Sequence, residues 1–268
     1  MYPIIDSHCH IYPEKIAAKA VAGIGKFYDM VLPNAGTAED MVKKSKAAGI
    51  THAIVFSVAT TVAQVKSINE FIACEVAKSN GFMTGLGTLH PDSTDIVGDI
   101  EHLQELGLRG VKLHPDIQGF KLDDYRCLKI YELCEKKGLP VLLHTGDFRY
   151  DFSNPNRVKP ILETYTDLTV IGAHFGGWSV WEQAVEELHG YDNFYVDCSS
   201  SFYSLDRETV LKMIRKYTAQ RVLFATDFPT WELQKEVDYF FSLDLTEEER
   251  ELILYKNAVR LFNLDIKL

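Results

Sequence analysis

The chain has 268 residues, of which 46% are hydrophobic, and its 28 Lys and Arg against 38 Asp and Glu give a formal net charge of −10. This length and composition exclude a disordered chain, because a protein of this size buries roughly 70–75% of its unfolded surface on folding. The acidic balance argues against nucleic acid and membrane as partners, since both are bound chiefly through phosphate neutralisation. No apolar run approaches a membrane span and no N-terminal targeting signal is recognised, so we expect a cytoplasmic protein.

Short apolar runs alternate with longer amphipathic segments along the chain. Eight runs predict β-strands, at residues 3–8, 53–58, 82–89, 110–113, 140–144, 168–173, 194–198 and 221–226. Helical periodicity predicts helices at residues 37–48, 61–79, 94–106, 125–137, 156–165, 178–188, 205–217, 230–241, 246–254 and 255–262. Strands that alternate with helices form parallel sheets through right-handed crossovers. Eight such units favour an α/β fold of the (β/α)8 TIM-barrel type, with extra helices at the C-terminus.

The connection after the first strand departs from this regular spacing. The segment of residues 11–36 is too long to be an ordinary turn, and it contains Gly23, Gly25 and Gly36. We predict a long loop there that closes over the catalytic face, as lids and substrate-binding loops do. No linker or composition shift divides the chain, so the sequence predicts a single domain over residues 1–268.

Histidines cluster at the C-terminal ends of the predicted strands, which is where a (β/α)8 barrel carries its chemistry. Six of the nine lie at or just beyond such ends: His8, His10, His90, His114, His144 and His174. His8 and His10 are two residues apart on the first strand, so both side chains are expected to point towards the barrel axis. A pair with this spacing can chelate a metal ion.

Two further strand ends complete a candidate metal site. His144 follows the fifth predicted strand, and Asp227 follows the eighth. An Asp after an apolar run is costly to bury alone, and a nearby cation removes that cost. The sequence therefore predicts that His8, His10, His144 and Asp227 bind one divalent metal. Imidazoles with one carboxylate suit zinc first, with manganese, iron, cobalt or nickel as alternatives, whereas magnesium and calcium prefer more oxygen ligands.

Other polar residues at strand ends are candidates for catalysis and substrate binding. His174 follows the sixth predicted strand and is the candidate proton carrier, because an imidazole titrates near pH ~6.5. Lys112 and His114 should face inward together from the fourth strand, with Lys112 in polar contacts inside the barrel and His114 in the pocket wall. Arg149 follows the fifth strand and is a candidate substrate contact, with a packing role as the alternative.

These motifs resemble the amidohydrolase superfamily, and within it the amidohydrolase-related group that contains aminocarboxymuconate-semialdehyde decarboxylase, resorcylate-type decarboxylases and lactone hydrolases. The resemblance covers essentially the whole chain and rests on DSHCH at 6–10, GVKLHP at 110–115, HTG at 144–146, GAHFGG at 172–177 and TDFP at 226–229. It implies a metal held by the four residues already assigned, with His174 at the metal-bound water or the substrate. Some superfamily members carbamylate a fourth-strand Lys between two metals, but Lys112 lies deeper than such a ligand, so we expect one metal rather than two.

The expected activity is hydrolysis of a small lactone, ester or amide by a metal-activated water. In that reaction Asp227 would accept the proton of the water and His174 would stabilise the oxyanion. The first alternative is a metal-dependent, non-oxidative decarboxylase of a small aromatic or unsaturated carboxylic acid. Decarboxylases of this group tend to have Glu after the sixth-strand His-x-Gly, whereas this chain has Gly176 and Gly177, and the departure favours hydrolysis.

A second alternative is a ligand-binding barrel that has lost turnover. The presence of a full set of water-activating residues argues against it, because a binding protein has no need of them. We expect the protein to bind a small-molecule substrate and neither nucleic acid nor membrane. The sequence is compatible with a homodimer.

Overall fold

The computed structural model describes residues 2–265. Over this range the strands β1 to β9 are Ile5–His10, His52–Phe56, Met83–Gly85, Gly87–Thr88, Val111–Leu113, Val141–Leu143, Val170–Gly172, Phe194–Asp197 and Val222–Leu223. The helices α1 to α12 are Glu14–Tyr28, Ala38–Ala47, Val65–Lys78, Ile96–Glu105, Pro115–Gln118, Leu128–Lys137, Pro155–Thr164, Trp181–Leu188, Arg207–Tyr217, Leu233–Phe241, Glu247–Glu251 and Asn257–Leu261. None of the described helices has the length and apolar character needed to cross a membrane.

The strands are parallel and follow chain order around a (β/α)8 barrel. β3 and β4 together fill the third position, with only Leu86 between them. The amide of Leu86 donates to the Val55 carbonyl of β2, and the amide of Gly87 donates to the Gly110 carbonyl before β5. Strand labels from β4 onward therefore run one ahead of the eight predicted runs.

The barrel closes between β1 and the segment that follows β9. The amide of Ser7 donates to the Phe224 carbonyl at 3.0 Å, and the amide of His10 donates to the Phe228 carbonyl at 2.7 Å. Cys9 and Phe228 form a parallel bridge at the same place. The TIM-barrel fold predicted from the alternation of strands and helices is confirmed.

Two sets of buried apolar side chains alternate along the strands. One set packs between the strands and the surrounding helices and includes Val55, Val111, Val141 and Val196. The other faces the barrel axis and packs against Phe262, beyond the end of α12; its strand members are Ile5, Ile54, Phe56, Leu142, Ile171 and Leu223. Because side chains alternate across a strand, Lys112 belongs with the axial set.

An irregularity in β1 places Ile5, His8 and His10 on the same face of the sheet, although simple alternation would put Ile5 on the opposite face. The pairing of β1 with β2 shifts between Asp6 and Cys9. A one-residue slip moves later side chains to the other face of the sheet. Ile5, before the shift, packs in the axial set. Because of the shift, the rings of His8 and His10 also face the barrel axis, where they lie against Phe56 of the same set.

Helix α1 occupies most of the segment for which we predicted a loop, and that prediction was wrong. Gly23 and Gly25 suggested breaks, but Gly25 has another use. A Cβ at Gly25 would lie 2.6 Å from the Met30 carbonyl oxygen. The chain can therefore turn back closely after the helix, where Asp29 takes a left-handed conformation with φ 54°. The segment does border the cavity above the strand ends, as expected for a lid.

Candidate metal centre

Three side chains converge at the C-terminal ends of β1 and β9. His8 Nε2 lies 3.2 Å from His10 Nε2, and Asp227 Oδ1 lies 3.4 Å from the first nitrogen and 3.6 Å from the second. Ligand atoms at 2.1 Å from a metal are about 3.4 Å apart in a tetrahedron and about 3.0 Å apart in an octahedron. The three atoms, called here the donor triad, therefore have the spacing of ligands that share one ion.

The ring of His8 is oriented by a carboxylate at the end of β8. Its Nδ1 donates to Asp197 Oδ2 at 2.8 Å, so the Nε2 of a neutral ring carries a lone pair directed into the triad. Burial lowers the pKa of both His8 and His10 well below the ordinary value, which keeps the rings neutral. Neutral imidazole with a carboxylate behind it is the usual form of a metal-binding His.

Asp227 is held by hydrogen bonds on the side away from the two imidazoles. Ser200 Oγ donates to Asp227 Oδ2 at 2.5 Å and in turn accepts from Trp231 Nε1 at 2.7 Å. Asp6 accepts from the amide and the hydroxyl of Thr226, which fixes the residue before Asp227. Burial raises the pKa of Asp227 to about 7, and a bound cation would stabilise its ionised form.

Three residues that follow consecutive strands have left-handed backbones. His174 after β7 has φ 60°, Ser200 after β8 has φ 47°, and Asp227 after β9 has φ 58°. Such conformations cost roughly 1–3 kcal/mol each in a residue other than glycine, and they concentrate at functional sites. Three of the left-handed residues other than glycine thus lie at the triad or beside it, while others, such as Asn80 and Thr218, lie elsewhere in the fold.

His144 lies beside the triad, in contact with His174. The Nδ1 of His174 faces the Ser199 carbonyl at 3.0 Å and so carries the proton, which leaves Nε2 to accept from His144 Nδ1 at 3.1 Å. The remaining nitrogen of His144, Nε2, is buried and has no hydrogen-bond partner among residues 2–265. Its lone pair is available to a metal ion, which is what the predicted role requires.

The donor atoms of His144 are nevertheless grouped with those of His114 and Asp116, within 4.8 Å of one another, rather than with the triad. The His114 and His144 rings stack at 3.9 Å, and the Tyr28 hydroxyl lies 3.0 Å from His114 Nε2. Burial raises the pKa of Asp116 to about 6. The structure therefore brings three of the four predicted ligands together and places the fourth in an adjacent cluster.

The other two predicted substrate-binding residues have different surroundings. Lys112 is fully buried inside the barrel, with Nζ 3.4 Å from His8 Nε2, and burial lowers its pKa to about 8. Arg149 donates from its side chain to Asp147 and, at 2.6 Å, to the Phe27 carbonyl near the end of α1. Its guanidinium lies 5.2 Å from the centre of the Tyr28 ring. Arg149 thus ties the C-terminal end of α1 to the barrel.

A cavity of 990 Å³ opens over the C-terminal ends of the strands. His10, His114, His144, His174 and Asp227 form part of its wall, and α1 and α3 contribute apolar side chains. Chemically, the arrangement offers a cation site at one end of a largely apolar space. An anionic group of a ligand would be drawn to that end.

Sequence reasoning missed several residues that support the site. Asp197 is the last residue of β8 and shares a face of the strand with Tyr195. The rule that polar residues at the C-terminal ends of strands carry the chemistry could therefore have identified it. Ser200 depends on a left-handed backbone that no pattern in the chain predicts. Tyr28 and Asp116 escaped notice because α1 and the short helix α5 were not predicted.

Comparison with known proteins identifies a family whose model matches nearly the full length of the chain, and relatives that match parts of it. A family model described as amidohydrolase matches residues 5–264. The gamma-resorcylate decarboxylase of Polaromonas sp. (strain JS666 / ATCC BAA-500) is 24% identical over an alignment of 252 residues, and the match covers 74% of this chain and 75% of that protein. The 2-amino-3-carboxymuconate-6-semialdehyde decarboxylase of Dictyostelium discoideum is 35% identical over an alignment of 117 residues, and the match covers 41% of this chain and 32% of that protein.

Solved structures share the fold at low sequence identity. An uncharacterized TIM-barrel protein from Bordetella bronchiseptica superposes with a TM-score of 0.82 at 23% identity and covers 97% of this chain and 98% of its own. The 5-carboxyvanillate decarboxylase of Sphingomonas paucimobilis has a TM-score of 0.77 at 13% identity, and the match covers 98% of this chain and 100% of that one. A dihydroxybenzoic acid decarboxylase from Polaromonas sp. JS666, with bound manganese and 2-nitroresorcinol, has a TM-score of 0.74 at 18% identity, and the match covers 100% of this chain and 98% of that one.

Proposed function

Because the chain belongs to the amidohydrolase family, we propose that it is a metal-dependent decarboxylase that removes CO2 from a small aromatic or unsaturated carboxylic acid. The observation that carries this proposal is the donor triad at the inner end of a large apolar cavity. Support for decarboxylation comes from the relatives, two of which are named as decarboxylases of carboxylic acids of this kind.

These relatives favour the alternative over the hydrolysis that we expected first. That expectation depended on Gly176 and Gly177 after His174, and a departure at two positions has less weight than similarity over 252 residues. Hydrolysis of a lactone, ester or amide remains an outcome that the experiment below would detect.

We assign the metal to His8, His10 and Asp227, with His144 Nε2 as the fourth donor. When bound, a divalent ion supplies positive charge that binds the carboxylate and neighbouring oxygen of the substrate and draws electron density from the bond to be broken. Manganese is present in the dihydroxybenzoic acid decarboxylase structure, and the zinc expected from the donor types has no such specific support. Metal analysis of the purified protein will identify the ion.

Decarboxylation requires a proton in place of the departing carboxylate. The bond between the substrate carbon and the carboxylate breaks, the electron pair remains on that carbon, CO2 leaves, and the carbon takes up one proton. The proton comes ultimately from solvent, and we assign its transfer to the carbon to Asp227, which lines the cavity and is oriented by Ser200. His174, fixed through Nδ1 to the Ser199 carbonyl, has its ring in the same wall and positions the substrate beside Asp227.

The test is a substrate panel on protein loaded with manganese or zinc. Hydroxybenzoic and muconate-type acids are assayed for CO2, and lactones, esters and amides for hydrolysis. We expect CO2 release that is abolished in His8→Ala and retained in His102→Ala, a partly exposed His on α4 outside the site. Hydrolysis without CO2 release would overturn the proposal, and so would release that persists in His8→Ala.

A further inference from the structure

The cavity over the donor triad is much larger than decarboxylation of a single-ring acid requires. Its volume is 990 Å³, whereas a cavity of roughly 150 Å³ accommodates benzene. The triad and its neighbours form only part of the wall. Several times the volume of a ring is thus left for a part of the ligand that extends away from the metal centre.

One face of α1 forms a long apolar wall of this space. Ile16, Ala20, Gly23, Ile24 and Phe27 line it, at positions that fall on one stripe of a helix. At 1.5 Å per residue the stripe is about 16 Å long. It leads towards Tyr28, whose hydroxyl contacts His114 beside the metal centre. The apolar wall therefore extends from the reactive end towards the solvent.

Helix α3 adds apolar side chains to the same space. Ile68 and Phe71 line it and are half-buried, beside the uncharged polar side chains of Thr60, Gln64 and Ser67. Among the described residues of the wall, Lys15 is the only Lys or Arg, and its side chain is exposed. A second charged group on the ligand would have no buried partner of opposite charge in this part of the cavity, and burying such a group is costly.

We infer that the substrate carries an uncharged apolar extension, an alkyl or aryl group, that lies along α1 between Gly23 and Phe71. This inference deepens the proposed function and rests on it, because it takes the reacting carboxylate to be bound at the metal centre. It makes the substrate a monocarboxylic acid with a hydrophobic tail, in contrast to a small acid with further charged groups.

Calorimetric titration of manganese-loaded protein with benzoic, 4-butylbenzoic and 4-octylbenzoic acids tests the inference. Each fully buried methylene strengthens binding by about threefold to fourfold. We expect at least about a tenfold gain in affinity with each four-carbon step. A terminal carboxylate, as in 4-(4-carboxybutyl)benzoic acid, should remove the gain. Equal affinity across the series, or binding of none of its members, would overturn the inference.

Matched substitutions on α1 locate the extension. A Cβ at Gly23 meets no atom within 4 Å, so Gly23→Leu fills the cavity without a clash and should abolish the dependence on chain length. Ala20→Leu fills the same stripe and serves if the first variant does not fold. Ala22→Leu borders a separate groove and should retain the dependence. An unchanged dependence in both filled variants would contradict the placement.

Binding and turnover fail separately in this design. An affinity gradient without CO2 release from any acid would overturn the proposed decarboxylation and leave the apolar subsite in place. CO2 release from small acids without a gradient would overturn the subsite alone.

Discussion

Asp197 connects two histidines of the site. Its Oδ2 accepts from His8 Nδ1 at 2.8 Å, and its Oδ1 accepts from the backbone amide of His174 at 3.0 Å. The Ser199 hydroxyl donates to the same Oδ1 at 2.5 Å. Asp197 thus fixes the tautomer of one imidazole of the donor triad and the backbone position of His174 without belonging to the triad.

Asp197→Asn should weaken metal binding by about 10–100-fold, the usual effect of losing such a supporting carboxylate. The amide nitrogen can turn towards His8 Nδ1 and favour the tautomer whose Nε2 carries a proton. Competition with a chelator measures the affinity. Asp192→Asn, at a fully exposed Asp paired with Arg221, should leave the affinity unchanged. Equal affinity in the Asp197 variant and the wild type would show that the tautomer is set elsewhere.

Glu236 on α10 should make stability depend on pH. The side chain is buried, and burial raises its pKa from 4.5 to about 8. Below pH 4.5 both the folded and the unfolded state hold the proton, and between 4.5 and 8 only the folded state does. The contribution to stability is therefore lost as pH rises through this window, by about 1.4 kcal/mol per unit.

Urea denaturation at pH 5 and pH 8 measures this effect. The free energy of unfolding of Glu236→Gln should fall less between the two pH values than that of the wild type. Glu232→Gln, at an exposed Glu before the same helix, should follow the wild type. Parallel curves for the wild type and Glu236→Gln would contradict the assignment.

At the level of single residues, the strand-end pattern identified His8, His10 and Asp227, which form the triad. Asp197 was accessible to the same rule and was overlooked. Ser200 was not accessible, because its contact with Asp227 depends on a left-handed backbone after β8 that only the folded barrel imposes.

Among the elements, α1 is tied to the barrel at its C-terminal end by Arg149. The Arg149 guanidinium donates to the Phe27 carbonyl and lies 4.8 Å from the centre of the Phe27 ring and 5.5 Å from the centre of the Trp178 ring. An Arg that packs on aromatic faces stabilises through contact as well as charge.

Arg149→Met should loosen the last turn of α1 and raise KM more than it lowers kcat, because the apolar wall would no longer be held in place. Hydrogen exchange at residues 25–29 should accelerate. Arg126→Met, which removes an Arg that pairs with Asp92 and Asp124 elsewhere, is the matched control. Unchanged exchange in α1 would contradict a clamping role for Arg149.

The amphipathic helices were predictable because their apolar stripes pack on the barrel. Helix α2, for example, was predicted at 37–48 and spans Ala38–Ala47, with Thr37 as its cap. Helix α1 was not, because its apolar stripe lines an open cavity and its sequence contains Gly23 and Gly25. Most strands are shorter than the apolar runs, since only part of each run pairs with both neighbours.

On the scale of the whole molecule, the metal site spans the seam at which the barrel closes. His8 and His10 come from β1, and Asp227 follows β9. A ligand that binds only the folded state at 100 times its Kd adds about 2.7 kcal/mol. Removal of the metal with a chelator should therefore lower Tm by about 5–10 °C.

Differential scanning calorimetry of metal-loaded and chelated protein measures this change. Manganese should restore the transition, and His8→Ala should show no difference between the two states. If residues 1–268 form one domain, as the sequence predicts, each sample gives a single transition. An identical Tm in both states of the wild type would argue against a metal at the seam.

The fold followed from the sequence because eight strand–helix units have one common closed arrangement. The reaction did not, because two imidazoles and a carboxylate can serve hydrolysis as well as decarboxylation. The difference between the two reactions lies in what the cavity binds, and a large part of the cavity wall is formed by α1, which the sequence did not reveal.

Decarboxylation in D2O followed by NMR tests the central claim most directly. Metal-loaded protein is incubated with a hydroxybenzoic acid that carries an alkyl tail. We predict that CO2 is released and that the product carries one deuterium at the carbon that lost the carboxylate, in the wild type and not in His8→Ala. Acids that stay intact while a lactone, ester or amide is hydrolysed, or product formation without the metal, would contradict the account.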